Sequence, residues 1–366
     1  MTDFNLDIEK YIDLSPFSLN KEDKLRLLSS ILIELTNIHY TKSISYKKIL
    51  DSLNFNIKSI NSYIDLPFLP VSVFKEYELL SVPKNEIVKT MTSSGTTGQR
   101  VSKIFLDKET SALQTKILIR IVSDFIGRHR IPMLILDSSD VVKNRQMFSA
   151  RGAGILGFSM FGSSRVFAFN EKMELNHEEI NNFLLHNHDK PFLMFGFTFM
   201  IWQHFYKELV KYNYRPDFSN GILIHGGGWK KLLSESVKPE EFKKQLNKVC
   251  SIKPTNVHDY YGMVEQTGTI YMECEYGHLH SSIFSDIIIR RPLDFSVADI
   301  GEKGLIQVIS IIPKSYPGHS LLTEDEGAII GEDDCHCGRL GKYFQIFGRI
   351  KNAEIRGCSD TYATNF

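Results

Sequence analysis

Seven residues, Thr92, Ser93, Ser94, Gly95, Thr96, Thr97 and Gly98, place a run of hydroxyls and glycines just ahead of Arg100 and Lys103. Gly95 and Gly98 free the backbone to take left-handed or crowded conformations, so successive N–H groups converge on one anion while the hydroxyls add donors. Arg100 and Lys103 then supply positive charge for phosphate oxygens as the loop leaves the site. The run has no GK[ST] ending of the Walker kind, and the residues after it, Val101 to Leu106, read as a strand rather than a helix. The expected device is therefore a phosphate loop held between two strands. A small polar surface turn would have the same composition.

Two further segments suit the same chemistry. IHGGGWKK, Ile224 to Lys231, comes after an apolar strand, and Gly226, Gly227 and Gly228 let a flat ring or a phosphate come close to the backbone. DYYGMVEQTG, Asp259 to Gly268, offers Tyr260, Tyr261 and Gly262 followed by Glu265, with Gln266 and Thr269 beyond. A carboxylate near a phosphate loop makes sense with a metal ion between the two. A second constellation is separate from these. Cys335 and Cys337 stand in CHCG, and Cys274 stands in CEYGHLH with His278 and His280. Cys335 and Cys337 are too close to bridge readily to each other. Cys274, His280, Cys335 and Cys337 would give the Cys₃His set of a closed structural Zn²⁺ site, with His278 and His336 as alternative ligands. Separate thiols and surface histidines are the other reading.

The phosphate-loop run with its basic followers and the Tyr-Gly-x-x-Glu motif resemble those of the adenylate-forming superfamily. GGGWK and a cysteine near the C-terminus resemble the acyl-protein synthetase (LuxE-like) family of bacterial bioluminescence, which is related to the phenylacetate-CoA ligases. Several members of the latter branch also resemble this chain in having a Cys before a Gly-Leu-His stretch and a later CxCGR. The resemblance runs from about Leu66 to the C-terminus. It implies an α/β adenylate-forming domain with layered sheets and flanking helices, and ATP-dependent activation of a carboxylic acid, by family a fatty acid, to an acyl adenylate. It further implies ATP contacts from Thr92 to Gly98, Lys103, Gly226 to Gly228, Tyr260, Tyr261 and Gly262, adenine stacking by Tyr261 and Mg²⁺ on Glu265. Asp325 in LLTEDEG would hold the ribose hydroxyls, and Arg349 in FGRIKN matches the arginine before the family's mobile lid. Catalytic roles fall by resemblance to Glu265, Thr96, Arg349 and Cys358.

The sequence departs from the superfamily after Arg349. Members with the lid continue for a domain-sized stretch, whose lysine contacts the reacting carboxylate, whereas 17 residues come after Arg349 here. The expectation is a chain without the lid and without an evident CoA tunnel. The acyl group then passes to a thiol such as Cys358, whose nucleophilicity Arg356 would favour, and from there to an acceptor protein, a reductase, transferase or carrier. An acyl- or aryl-CoA ligase of phenylacetate type and a catalytically degenerate subunit are the competing readings.

These groups need a scaffold, and the rest of the chain supplies one. Leu25, Leu28, Ile31, Leu32 and Leu35 recur at helical spacing within a mainly helical stretch from about Asn5 to Leu53. Pro132–Leu136, Phe192–Phe195 and Ile222–His225 are short apolar runs of the buried parallel kind, and Lys108–Ile126 and Thr198–Tyr212 carry helical patterning between them. The division expected is a helical region over 1–65, a synthetase core over 66–349 and a short tail over 350–366. Phe195, Phe197, Phe199 and Trp202, with Gly196 among them, form an aromatic run that suits either an acyl-chain wall or core. Among 366 residues, 43 are basic and 43 acidic with no basic stripe, which argues against a polynucleotide partner. No apolar run reaches the roughly 18 residues of a membrane span, and the start, MTDFNLDIEKYIDL, lacks a signal peptide's basic and apolar regions. A cytoplasmic enzyme with a carboxylic acid substrate is expected.

Overall fold

The computed structural model describes residues 7–93, 100–143, 150–229 and 235–350. The Lys21–Lys42 helix starts where the Asn20 side chain accepts from the Asp23 N–H at 3.0 Å, and it buries Leu28, Ile31, Leu32 and Leu35 on one stripe. Ser43 ends it and caps the Ile44–Ser52 helix in turn. The Lys108–Ile126 helix matches the sequence pattern end to end, with Asp107 accepting from Thr110 N–H at 2.8 Å and Gly127 closing it at φ +86°.

The described residues form fourteen strands. In chain order they are β1 (Leu69–Pro70), β2 (Ile87–Thr92), β3 (Lys103–Asp107), β4 (Ile131–Ser138), β5 (Gly162–Phe169), β6 (Phe192–Phe197) and β7 (Gly221–Gly226). The second half holds β8 (Val257–Tyr261), β9 (Tyr271–Glu273), β10 (Leu279–His280), β11 (Ser285–Arg290), β12 (Gly304–Ser310), β13 (Ser320–Glu332) and β14 (Lys342–Arg349). One continuous sheet runs β11-β12-β13-β14-β10-β9-β8-β7-β6-β4-β5, with β1 beside β13, while β2 and β3 form a separate antiparallel hairpin. Strands β5, β4, β6, β7 and β8 are parallel, and β4, β6 and β7 among them are largely buried, which explains their apolar sequences. From β8 to β11 the pairing is antiparallel, through the short β9 and β10.

Two cores flank this sheet. The larger packs the parallel strands against residues of the N-terminal helices, including Leu28, Ile31 and Leu35, so the helical region and the sheet share one core. The smaller joins the antiparallel strands to Ile104 and Leu106 of β3 and to Tyr46, Leu50 and Phe74. No helix among the described residues is long and apolar enough to cross a membrane.

A buried charge cluster fixes the Lys21–Lys42 helix to the antiparallel half. Lys24 Nζ lies 3.3 Å from Asp286 Oδ1 and donates to Ser281 Oγ at 2.8 Å, while Lys342 Nζ lies 2.7 Å from Asp286 Oδ2 and Tyr63 donates its hydroxyl to the same oxygen. Burial works against the Asp286 carboxylate, but Lys24 and Lys342 outweigh it and hold its pKa far below the ordinary value. Asp286→Asn leaves two ammonium groups without their shared anion, and the expected loss is about 3–5 kcal/mol by urea unfolding at neutral pH. Because the folded carboxyl is depressed, that contribution is present above the unfolded carboxyl pKa and fades as the pH falls below about 4. The gap between wild-type and Asp286→Asn midpoints should therefore narrow in acid, and a gap that stays constant would refute the assignment.

Candidate active site

The parallel strands end on a common edge, where β6, β7 and β8 deliver Phe197, Gly226 and Tyr261. Open α/β sheets bind ligands at this edge because the chain leaves the strands there in loops. Gly226 pairs with Tyr260 across β7 and β8, and a Cβ on Gly226 would lie 2.7 Å from Tyr260 Cε1. The ring that lies against this glycine is thus the protein's own, which makes Gly226 obligatory before any ligand is considered. Gly227 and Gly228 turn at φ +85° and +59°, conformations that a side chain disfavours. The Thr198 hydroxyl, just beyond β6, donates to the Gly226 carbonyl at 3.1 Å, and His225 Nδ1 lies 2.9 Å from the same hydroxyl. With the hydroxyl proton on the carbonyl, His225 donates from Nδ1. Burial pushes its pKa down to about 3, so it stays neutral. Lys230 and Lys231 of the motif lie outside the described residues.

Tyr261 points the other way from Tyr260, as alternation along a strand requires. Its hydroxyl donates to Asp325 Oδ2 at 2.7 Å, and its ring packs with Tyr271 and Phe344. Asp325 sits opposite Arg349 in the β13–β14 register, with Arg349 Nε 3.6 Å from Asp325 Oδ1 and Nη1 3.9 Å from Glu324 Oε2. Three residues drawn from distant motifs are therefore in one cluster. Burial raises the Asp325 carboxyl, while Tyr261 and Arg349 act to keep it charged.

Glu265 is no surface carboxylate: it is 7 % exposed. Burial raises its pKa, with Ser102 the first of the groups that act to lower it, ahead of Lys75 and Arg349. Ser102 stands beside Ser93 at the base of the Thr92–Gly98 segment, where its N–H donates to Ser93 Oγ at 2.9 Å and its carbonyl accepts from Ser93 N–H at 3.1 Å. Thr92 pairs with Lys103 as the last rung of the β2–β3 hairpin, so the loop does lie between two strands. Ser94, Gly95, Thr96, Thr97 and Gly98 fall outside the described residues, as does Cys358. Lys103 is exposed, and Arg100 forms an ion pair with Glu76. Gly262 packs on Ile270, and Gln266 donates into the core, to the carbonyls of Val308 and Gly318.

Sequence reasoning passed over Ser102, Thr198, Thr323 and Glu324. Thr323 accepts from the Asp325 N–H at 3.1 Å and so orients that carboxylate. Ser102 and Thr198 carried a positional signal, one at a loop exit and the other just beyond an apolar strand. Phe195, Phe197, Phe199 and Trp202 are all buried. Asp137, at the end of β4, is fully buried and lies 3.1 Å from Arg151 Nε.

The second constellation also assembles. Ligand atoms of Cys274, His280, Cys335 and Cys337 lie within 4.8 Å of one another. Cys274 Sγ is 4.0 Å from Cys335 Sγ, and Cys337 Sγ is 3.4 Å from His280 Nε2. A tetrahedron with zinc–sulfur bonds of about 2.3 Å has sulfur–sulfur edges of about 3.8 Å, so these separations fit such an ion. His278 Nδ1 lies 3.4 Å from Cys335 Sγ, while the His336 ring packs beside Tyr276. Burial pushes the Cys335 thiol up to about 12 and the His280 imidazole down to about 3. The thiols thus need a cation to ionise, and the imidazole is already in the ligating, neutral form.

Comparison with known proteins agrees with this geometry. A ligase for 2-hydroxyisobutyryl-CoA, solved with 2-HIB-AMP and CoA in its thioesterification state, superposes with a TM-score of 0.71 at 16 % identity, over 92 % of this chain and 70 % of that one. The same enzyme in its postadenylation state with R3-HIB-AMP gives a TM-score of 0.70 over 92 % of this chain and 70 % of that one, at 15 % identity. The fold is that of an adenylate-forming enzyme. The long-chain-fatty-acid–luciferin-component ligase of Vibrio harveyi is 21 % identical over 94 % of this chain and 89 % of its own length. That of Aliivibrio fischeri is 23 % identical over 92 % and 88 %. The profile of the family described as "Acyl-protein synthetase, LuxE" matches residues 5–366, and this chain belongs to that family.

Proposed function

We propose that the chain activates a fatty acid with ATP, as an acyl adenylate, and then carries the acyl group on a protein thiol. The observation that supports this best is the convergence of Tyr261, Asp325 and Arg349 in one cluster, with Glu265 buried beside the neck of the phosphate loop. Asp325 accepts from the ribose hydroxyls, which replace Tyr261 and Arg349 as its partners. The Gly226–Gly228 turn and Tyr260 border the base, in place of the Tyr261 ring expected to stack on it, because Tyr261 turns to Asp325 while Tyr260 lies against Gly226, and Thr92 to Gly98 with Lys103 surround the phosphates. The acid's carboxylate oxygen attacks the α-phosphorus, and the bond to the bridging oxygen of pyrophosphate breaks, so pyrophosphate leaves with that electron pair. Glu265 would hold the Mg²⁺ that offsets charge on the leaving group. The raised Glu265 carboxyl must lose its proton to do so, and Mg·ATP affinity falls as the medium becomes acidic. Glu265→Gln should lower acid-dependent ATP–pyrophosphate exchange by about 100-fold, equivalent to about 2.7 kcal/mol. Exchange within a few-fold of wild type would remove Glu265 from the site.

The Cys358 thiolate then attacks the acyl carbonyl and AMP departs, leaving a thioester for an acceptor protein such as a reductase, a transferase or a carrier. Incubation with ATP and a radiolabelled fatty acid should label the wild-type protein in a hydroxylamine-sensitive form. Cys358→Ala should lose the label while ATP–pyrophosphate exchange persists. Label retained in that variant would move the acceptor to another residue.

Zn²⁺ on Cys274, His280, Cys335 and Cys337 would clamp the β9–β10 turn to the β13–β14 connection and so brace the strand that carries Arg349. The protein isolated without chelator should contain a single zinc ion per chain by elemental analysis. Cys335→Ser should lose it together with several degrees of thermal stability. A metal-free wild type with unchanged melting would refute the site.

A further inference from the structure

The ribose partners lie on β13 and β14, on the β8 side of the glycine turn, and the phosphate partners lie at the β2–β3 hairpin and Glu265. The flank towards β6 and β4 is left over. It is also where the chain reverses direction in the sheet. From β4 the chain runs outward to β5 at the edge, and from β5 it crosses back to β6 on the other side of β4. Helices leave the two strand ends on opposite faces at such a point, and the crevice between them is where open α/β sheets receive ligands.

Phe197, the last residue of β6, fills this crevice. Its ring is wedged between the Ala150–Phe158 helix and the glycine turn: a Cβ on Gly154 would lie 2.9 Å from Phe197 Cζ, and one on Gly227 would lie 2.7 Å from Phe197 Cδ1. Glycine inside a helix costs about 1 kcal/mol relative to alanine, and here its effect is to make room for this ring. Phe195 continues the wall, stacked on Phe158 at 4.3 Å, and Phe158 in turn meets Tyr260 at 5.2 Å. The next residue along the chain from Phe197, Thr198, is tied to the Gly226 carbonyl, so the backbone that carries the ring is fixed to the nucleotide turn.

We propose that Phe197 is a specificity-determining residue that closes the acyl crevice and sets the longest unbranched hydrocarbon chain the site accepts. The proposal rests on the adenylation reading above. A chain entering from the glycine turn meets the Phe197 ring edge, and a longer chain must displace a ring that Gly154 and Gly227 hold on both sides. Discrimination between neighbouring chain lengths should be about 10-fold or more per methylene at that limit.

The test is acid-dependent ATP–pyrophosphate exchange across a series of straight-chain acids from butyrate to stearate, with wild type, Phe197→Ala and Phe197→Leu, at saturating ATP. The expected result is a shift of the optimum to longer acids. kcat/KM for acids about two methylenes beyond the wild-type limit should rise about 10-fold in Phe197→Ala, and less in Phe197→Leu, with KM for ATP unchanged. Phe197→Leu, the smaller change, carries the test if Phe197→Ala does not fold. A length profile of unchanged shape in an active variant, lowered equally for every acid, would overturn the assignment and leave Phe197 as core. Absence of exchange by the wild type with every acid would instead overturn the adenylation reading, and this assignment with it.

Discussion

The site depends on a hydrogen-bonded seam only a few residues long. Strands β9 and β10, of three and two residues, join the parallel half of the sheet at β8 to the antiparallel half at β14. Without them Tyr261 belongs to one body, and Asp325 and Arg349 to another. With them Tyr261 pairs with Tyr271, Met272 with His280 and His280 with Tyr343, and the register is carried step by step from β8 to the strand that holds Arg349. A one-residue slip anywhere in this chain of pairings would turn Tyr261 away from Asp325, because neighbouring side chains face opposite sides.

Strands this short hold register weakly by themselves, and the structure braces the seam from both faces. On one side Cys274, His280, Cys335 and Cys337 gather around the β9–β10 turn. On the other, Asp286 ties Lys342 at the start of β14 to Lys24 of the N-terminal helix. Both clusters are largely buried, and the Asp286 cluster is charged in a place where ionic groups without partners are costly. Alternative registers that break them are therefore penalised, whereas a purely apolar seam would tolerate sliding.

The groupings that the structure brings together were legible in the sequence where their members lie close along the chain. The Gly226–Gly228 turn and the Tyr-Gly-x-x-Glu segment are runs of neighbours, and so is Thr92–Gly98, of which Thr92 and Ser93 lie among the described residues. The Lys108–Ile126 helix carries its own start and stop in Asp107 and Gly127. The cysteines announced themselves by clustering at short spacing. What was not legible is what arises across long separations or from register. Lys24 and Asp286 are 262 positions apart. A strand of two residues has no periodicity to detect. Tyr260 and Tyr261 are adjacent and alike, and pairing of Tyr260 with Gly226 is what decides which ring lies on the glycine and which meets Asp325. The aromatic run from Phe195 to Trp202 left two meanings open, and its burial settles the packing while the neighbouring glycines supply the reason for it.

The central claim is that these groups direct a carboxylate onto the α-phosphorus of ATP. The most direct measurement uses a fatty acid with both carboxyl oxygens replaced by the heavy isotope, with mass analysis of the products after turnover by the full chain. Attack at the α-phosphorus transfers a heavy oxygen from the acid to AMP once the acyl group moves on, and leaves pyrophosphate unlabelled. Heavy oxygen in inorganic phosphate, with ADP as the nucleotide product, would mean attack at the γ-phosphorus and would contradict the account.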